Sequence, residues 1–206
     1  MLKSNEAKVL LEFWFDQWMK GTLDPELQLD VWLAVENSSF SELKSRLNSY
    51  KKQLESKSTV QQYSTSLFGG NVQTGKTIFS QNSRAQCMRC HILNGEGGEA
   101  GPDLTGIAGR LSREELLLSL VEPDARLAPG YGAVIVNLTN GKEVAGLLLE
   151  EQEQFIRIRD GQRIERRIDR SEIEKMEILP SGMLNMKGLL SRDEIRDLMA
   201  FLVTLE

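Results

Sequence analysis

The chain has 206 residues, 40% hydrophobic and 27% charged, and its 25 Lys+Arg against 30 Asp+Glu leave a formal net charge of -5. That length and apolar content support a packed core, which excludes a disordered or fibrous chain, and the acidic balance argues against non-specific nucleic-acid binding. Charged side chains interrupt every hydrophobic run, so no stretch reaches the roughly 18 apolar residues that a membrane span needs. With two Cys and a single His, a Ser-His-Asp hydrolase is conceivable, but a multi-histidine zinc or di-iron centre is not.

Residues 1 to about 66 read as helical. Lys8 to Met19 is so densely apolar (Val9, Leu10, Leu11, Phe13, Trp14, Phe15, Trp18) that burial on most faces is expected. Asp24-Pro25 reads as an N-cap with Pro at N1, opening a second helix through Leu27, Leu29, Val31, Trp32 and Leu33. Ser39 and Glu42 read as a capping box for a third, with Phe40, Leu43, Leu47 and Leu54 at helical spacing. All three Trp fall in this region and are expected to pack helices rather than bind a ligand. The polar Ser56–Gly70 stretch, ending in Gly69-Gly70, is a candidate linker.

A short helix is expected from about Val72 to Phe79, followed by a polar loop over Ser80 to Ala85. Next comes Cys87-Met88-Arg89-Cys90-His91, which holds both cysteines and the only histidine in the C-x-x-C-H order of covalent c-type haem attachment. Thiols three positions apart on one short turn reach the two vinyl groups of one porphyrin edge. The His directly after the second is then held beneath the iron as proximal ligand. In a shuffled chain this arrangement arises with a probability on the order of one in ten thousand. Three alternatives remain: a thioredoxin-like dithiol, which needs a strand before the motif; zinc, which lacks a fourth Cys or His ligand; and a buried thiol pair beside an incidental His. The glycine-rich Asn94–Pro102 stretch lacks the Lys-Ser/Thr pair of a P-loop and fits backbone packed closely against a flat cofactor. Ser112 and Glu115 form a capping box for a helix through Leu116, Leu117, Leu118 and Leu120, which Pro123 stops.

Between about Tyr131 and Met176 the period changes to two. Val134, Val136 and Leu138 meet Asn140-Gly141 and return through Val144 and Leu147 to Leu149; Phe155, Ile156 and Ile158 meet Asp160-Gly161 and return through Ile164 and Ile168. Two hairpins of a small antiparallel sheet or half-barrel are expected, inserted in a helical protein. Arg157, Arg159, Arg163, Arg166, Arg167 and Arg170 make this stretch locally basic, with Asp160, Glu165 and Asp169 between them; a solvated strand face is favoured over an anion or partner site. Ser191 and Glu194 then cap an amphipathic helix through Ile195, Leu198, Met199, Leu202 and Leu205.

With one His, bis-histidine ligation within the chain is impossible, and a Met thioether is the other usual strong axial partner; it raises the reduction potential. Of the seven Met, Met1 and Met19 are remote, Met88 is pinned between the cysteines and Met199 reads as core. Met183 lies in the Leu179-Pro180-Ser181-Gly182-Met183 loop, where a flexible segment can lay its side chain on the open haem face; Met186 is the reserve candidate, and Met176 comes last because the sheet holds it.

These residues resemble the mono-haem cytochrome c fold: Gly75 and Phe79 its first helix, Cys87 to His91 the haem motif, Gly101-Pro102-Asp103-Leu104 the following loop, and Asp197 to Leu202 the final helix. The resemblance implies that the Pro102 carbonyl orients His91, and that His91 and Met183 are the axial ligands. More narrowly, the chain is similar to the haem-binding module at the C-terminus of large secreted planctomycete and verrucomicrobial-type proteins, through Gly69-Gly70, Gly75, Phe79, Gly101–Leu104, Glu122-Pro123 and Gly130-Tyr131. That family commonly has Met-Pro in the ligand loop, where this chain has Leu179-Pro180.

The expected fold is mainly α with a β insertion: an N-terminal helical region over 1–66 and a cytochrome c domain over 67–206, interrupted by the β module at about 131–176. The expected function is one-electron transfer through one covalent haem c, without enzymatic chemistry, between an acceptor and a donor that is a redox partner protein or a fused dehydrogenase domain. A gas sensor or peroxidase-like protein with an open distal site is the alternative. No nucleic acid and no membrane span are expected, and the sequence is compatible with a homodimer. Haem attachment to C-x-x-C-H takes place outside the cytoplasm in bacteria, so a periplasmic or secreted location is expected. Met1 to Glu6 is not a signal peptide, so a fragment of a longer secreted protein, or a chain from which the signal has been removed, is expected.

Overall fold

The computed structural model describes residues 4–206. In chain order its elements are α1 (Ser4–Met19), α2 (Gln28–Asn37), α3 (Ser41–Leu54), α4 (Thr59–Gln62), α5 (Val72–Gln81), α6 (Cys87–Cys90), β1 (Ile92–Leu93), β2 (Glu96–Gly97), α7 (Arg113–Val121), β3 (Gly132–Leu138), β4 (Glu143–Glu151), β5 (Phe155–Asp160), β6 (Glu165–Asp169), β7 (Ile173–Ile178) and α8 (Arg192–Leu202). This is the expected mixed fold, helices with an antiparallel β module. Two compact units divide it: residues 4–86, 106–121 and 186–206 form one, and Cys87–Thr105 with Glu122–Asn185 the other.

In the first unit, α1, α2 and α3 bury Phe15, Trp18, Leu29, Trp32, Val35, Leu43 and Leu47 in a common core. Trp18, Trp32 and Tyr50 meet as a triad, with centroids 5.9, 5.0 and 6.2 Å apart. Trp18 and Trp32 pack helices as expected, whereas Trp14 is 38% exposed; Trp32 and Tyr63 also hold the Arg192 guanidinium at 4.6 and 4.2 Å, while its Nη1 donates to the Gln62 carbonyl at 2.7 Å. A helix has one core-facing stripe, whereas the apolar run of α1 covers more than half its circumference. Val9 and Phe13 are therefore 59% and 51% exposed, contrary to the expected burial on most faces. Two further readings need correction. The Ser39–Glu42 capping box does not form: α3 starts at Ser41 after Phe40 with no side-chain cap, and the Glu42 carboxylate faces Lys8 at 3.6 Å instead. Ser56–Gly70 is not an extended linker, because it holds α4 and a 3-10 turn at Ser64–Ser66. There Thr65 and Ser66 are buried, and Ser66 Oγ donates to the Arg192 carbonyl at 2.9 Å.

The crossing of α5 and α8 belongs to the same unit. Gly75 is obligatory there, because a Cβ would overlap the Asp197 carbonyl and lie 2.8 Å from Phe201 Cβ. One turn later Phe79 packs on Phe201 with centroids 5.5 Å apart, and the Asp197 carboxylate accepts the Asn71 N–H at 2.7 Å. The boxes expected at Ser112/Glu115 and Ser191/Glu194 both form, starting α7 and α8.

In the second unit, β3 to β7 form one open antiparallel sheet in the order β6-β5-β4-β3-β7. The Asn140-Gly141 hairpin joins β3 and β4 with Val136 opposite Val144, and the second hairpin pairs Ile156 with Ile168. One face buries Val134, Val136, Ile156, Ile158 and Ile168, each worth roughly 1.5–3 kcal/mol relative to exposure. β7, which the period-two pattern did not delimit, carries Met176 and runs to Ile178. The basic run is largely neutralised: Arg157 pairs with Glu150, Arg159 with Glu165, Arg166 with Asp160, Arg167 with Asp169 and Arg170 with Glu151. Such a ladder is a solvated face rather than a cationic patch.

Candidate functional site

All of the site residues that the motif names lie on one short segment of the second unit. Cys87 to Cys90 make a single helical turn, α6, closed by the His91 N–H on the Cys87 carbonyl at 2.9 Å. Gln86, at φ 48°, bends the chain into that turn. Both cysteines are free, partly buried thiols, and His91 is buried, with 9% of its surface exposed.

The glycine-rich stretch folds back on this turn. Asn94 (φ 52°) and Gly95 (φ 84°) give the two left-handed residues of a tight hairpin between β1 and β2. The Gly98 N–H then bonds the Met88 carbonyl at 2.9 Å and the Gly101 N–H the Cys90 carbonyl at 2.6 Å. At Gly97 and Gly98 a Cβ would overlap the carbonyls of His91 and Arg89. These two glycines therefore pack on the motif's own backbone, where the sequence suggested contact with a flat cofactor. Gly101 is different: a Cβ there would lie 2.6 Å from His91 Cε1 and 2.8 Å from Nδ1, so the glycine leaves room for the ring.

The Pro102 carbonyl lies 2.8 Å from His91 Nδ1. A carbonyl can only accept, so Nδ1 carries a proton, and in the neutral ring it is Nε2 that has the lone pair to give. This donor set, two thiols and one oriented imidazole Nε2 on a single turn, fits haem c. A dithiol redox pair fits poorly, because burial pushes the Cys87 thiol up to about 11, whereas reactive thiols are depressed. No group of three or more Cys, His, Asp or Glu suited to a metal ion occurs among the described residues.

The methionine candidates differ in setting. Met183 is half-buried in a bend between β7 and α8, its N–H on Ser181 Oγ at 3.1 Å. Met186 belongs to the first unit, where it is 2% exposed in a 3-10 turn. Sequence reasoning missed Asp124: its Oδ1 accepts the Ser181 N–H at 2.5 Å. Only its place after the helix-stopping Pro123 marked it, and a contact across 57 positions leaves no local pattern.

Comparison with known proteins finds likeness over the stretch that holds the motif. The family model for cytochrome c matches residues 72–154, from α5 through the motif into the sheet. Residues 72–154 are thus similar to the cytochrome c family. A cytochrome c type-1 of Ascaris suum is 28% identical over 105 residues, which cover 41% of this chain and 89% of that protein. The cytochrome c family binds haem c covalently and is generally devoted to electron transfer rather than enzymatic chemistry; its domains are often extracytoplasmic. Among the described residues no helix of this cytochrome c-like chain is long and apolar enough to cross a membrane.

Proposed function

We propose that the chain is a mono-haem c-type cytochrome that passes single electrons between a donor and an acceptor outside the cytoplasm, in the periplasm or after secretion. The observation that carries this reading is the His91 Nδ1–Pro102 carbonyl bond, which turns a bare Nε2 toward a ligand held by Cys87 and Cys90. Bound haem supplies the one-electron Fe(III)/Fe(II) couple. The rest is the work of the chain. Cys87 and Cys90 anchor the group through thioethers, Pro102 fixes the imidazole tautomer, and His91, itself buried, keeps water from the proximal side. Met183 supplies the soft sixth ligand, which favours the reduced state relative to bis-His. Its half-burial supports this role, whereas Met186, the reserve, is already engaged in packing.

The module type is that of planctomycete secreted proteins, with the cytochrome portion over 67–206 and the sheet as an insertion at about 131–176. The sheet's own apolar core supports reading it as an insertion. The partner is a redox protein or fused dehydrogenase domain, and self-association as a homodimer is compatible with this reading. The test is a haem stain and intact mass on denatured protein. One haem per chain that survives denaturation, and is lost in the Cys87→Ala/Cys90→Ala double variant, supports the reading; extractable or absent haem overturns it.

A further inference from the structure

The segment that carries Met183 has no regular structure from Leu179 to Asn185, and its course is set by a few bonds. The Leu179 N–H bonds the Ala133 carbonyl at 2.8 Å, which ends the sheet register. Pro180 has no N–H to give. The Ser181 N–H donates to Asp124 Oδ1 at 2.5 Å, and Ser181 Oγ accepts from the Met183 N–H at 3.1 Å. Asp124, Ser181 and Met183 thus form a relay of two hydrogen bonds that ends on the backbone of the candidate ligand.

We propose that Asp124 is a positioning residue for the sixth iron ligand: through Ser181 it holds the loop in the course that presents Met183. This rests on the reading of Met183 as the ligand. The loop then has two arrangements, closed with sulfur on iron and open with the sixth position free, and the relay stabilises the closed one. An exogenous ligand binds only the open form, so its apparent affinity reports the closed-to-open ratio.

The test is made on the haem-loaded full chain and reads the ferric sulfur-to-iron absorption band together with displacement of that band by imidazole. Asp124→Ala removes a hydrogen bond between a charged group and an amide, and roughly tenfold tighter apparent imidazole binding is expected, which is 1.4 kcal/mol at one decade per 1.4 kcal/mol. Asp124→Asn keeps an acceptor oxygen and is expected to stay within about twofold of the parent. Ser181→Ala cuts the second bond, and because the two bonds act in series its combination with Asp124→Ala should shift affinity by less than the product of the single effects. If Asp124→Ala lowers the melting temperature but leaves imidazole affinity unchanged, or if Asp124→Asn shifts as far as Asp124→Ala, the positioning role is overturned. A parent band that Met183→Ala leaves in place overturns the ligand assignment itself, and this inference with it; a band lost in Met183→Ala but indifferent to Asp124 overturns the inference alone.

Discussion

Gly101→Ala probes the proximal side most directly. The backbone at Gly101 lies outside the left-handed region, so alanine meets no conformational penalty and the effect is steric. The new Cβ would fall 2.6 Å from His91 Cε1, against an optimum of roughly 3.5–4.0 Å between carbons, and the ring must yield by about 1 Å. Applied to the 2.8 Å His91–Pro102 bond, that displacement carries it past hydrogen-bond range. The cost combines overpacking, ~1–3 kcal/mol, with a buried donor left unpaired, ~1–3 kcal/mol. At about 2–4 °C per kcal/mol for a chain of this size, the melting temperature of the haem-loaded protein should fall by about 10 °C, with the ferric spectrum altered because the proximal ligand has turned. Gly109→Ala is the control, since nothing lies within 4 Å of its Cβ position. A melting temperature within about 1 °C of the parent and an unchanged spectrum would refute the argument that Gly101 makes room for His91.

Two further outcomes follow from the helices. Gly75→Ala forces a Cβ against the Asp197 backbone and Phe201; overpacking of ~3 kcal/mol, less ~1 kcal/mol gained in helix propensity, predicts a net loss of about 2 kcal/mol in denaturant unfolding, and a stabilised variant would contradict the close crossing of α5 and α8. Burial raises the Tyr50 hydroxyl above its ordinary 10.0, with Arg192 opposing. The folded state thus keeps a proton that the unfolded state loses. This stability is fully present below pH 10 and is lost as pH rises through the higher folded value. Ultraviolet titration should show a late tyrosinate transition that Tyr50→Phe removes, and three coincident ordinary transitions would contradict it.

Much of this molecule could be read from local pattern. The capping boxes at Ser112 and Ser191, the Asn140-Gly141 hairpin and the Cys87–His91 motif are each specified by residues a few positions apart, and such signals survive folding. The failures have a common cause in contacts that are distant in sequence. Ser39 has the spacing of a cap, but helix α3 starts two residues later and Glu42 is drawn to Lys8 on another helix. The polar Ser56–Gly70 stretch packs because Ser66 and Arg192, 126 positions apart, hydrogen-bond. In the site, the Cys87–His91 spacing is legible in the sequence, while the folding of Gly97 and Gly98 onto their own turn and the reach of Asp124 to Ser181 are visible only in three dimensions.

The central claim is a low-spin iron held between His91 and Met183, and the absorption spectrum of the haem-loaded protein tests it most directly. The account predicts a ferric sulfur-to-iron band that Met183→Ala abolishes and Met186→Ala retains, and a ferrous form that does not bind carbon monoxide readily. A high-spin ferrous protein that takes up carbon monoxide, with no band for Met183→Ala to remove, would contradict it and point instead to an open distal site for gas sensing or peroxide chemistry.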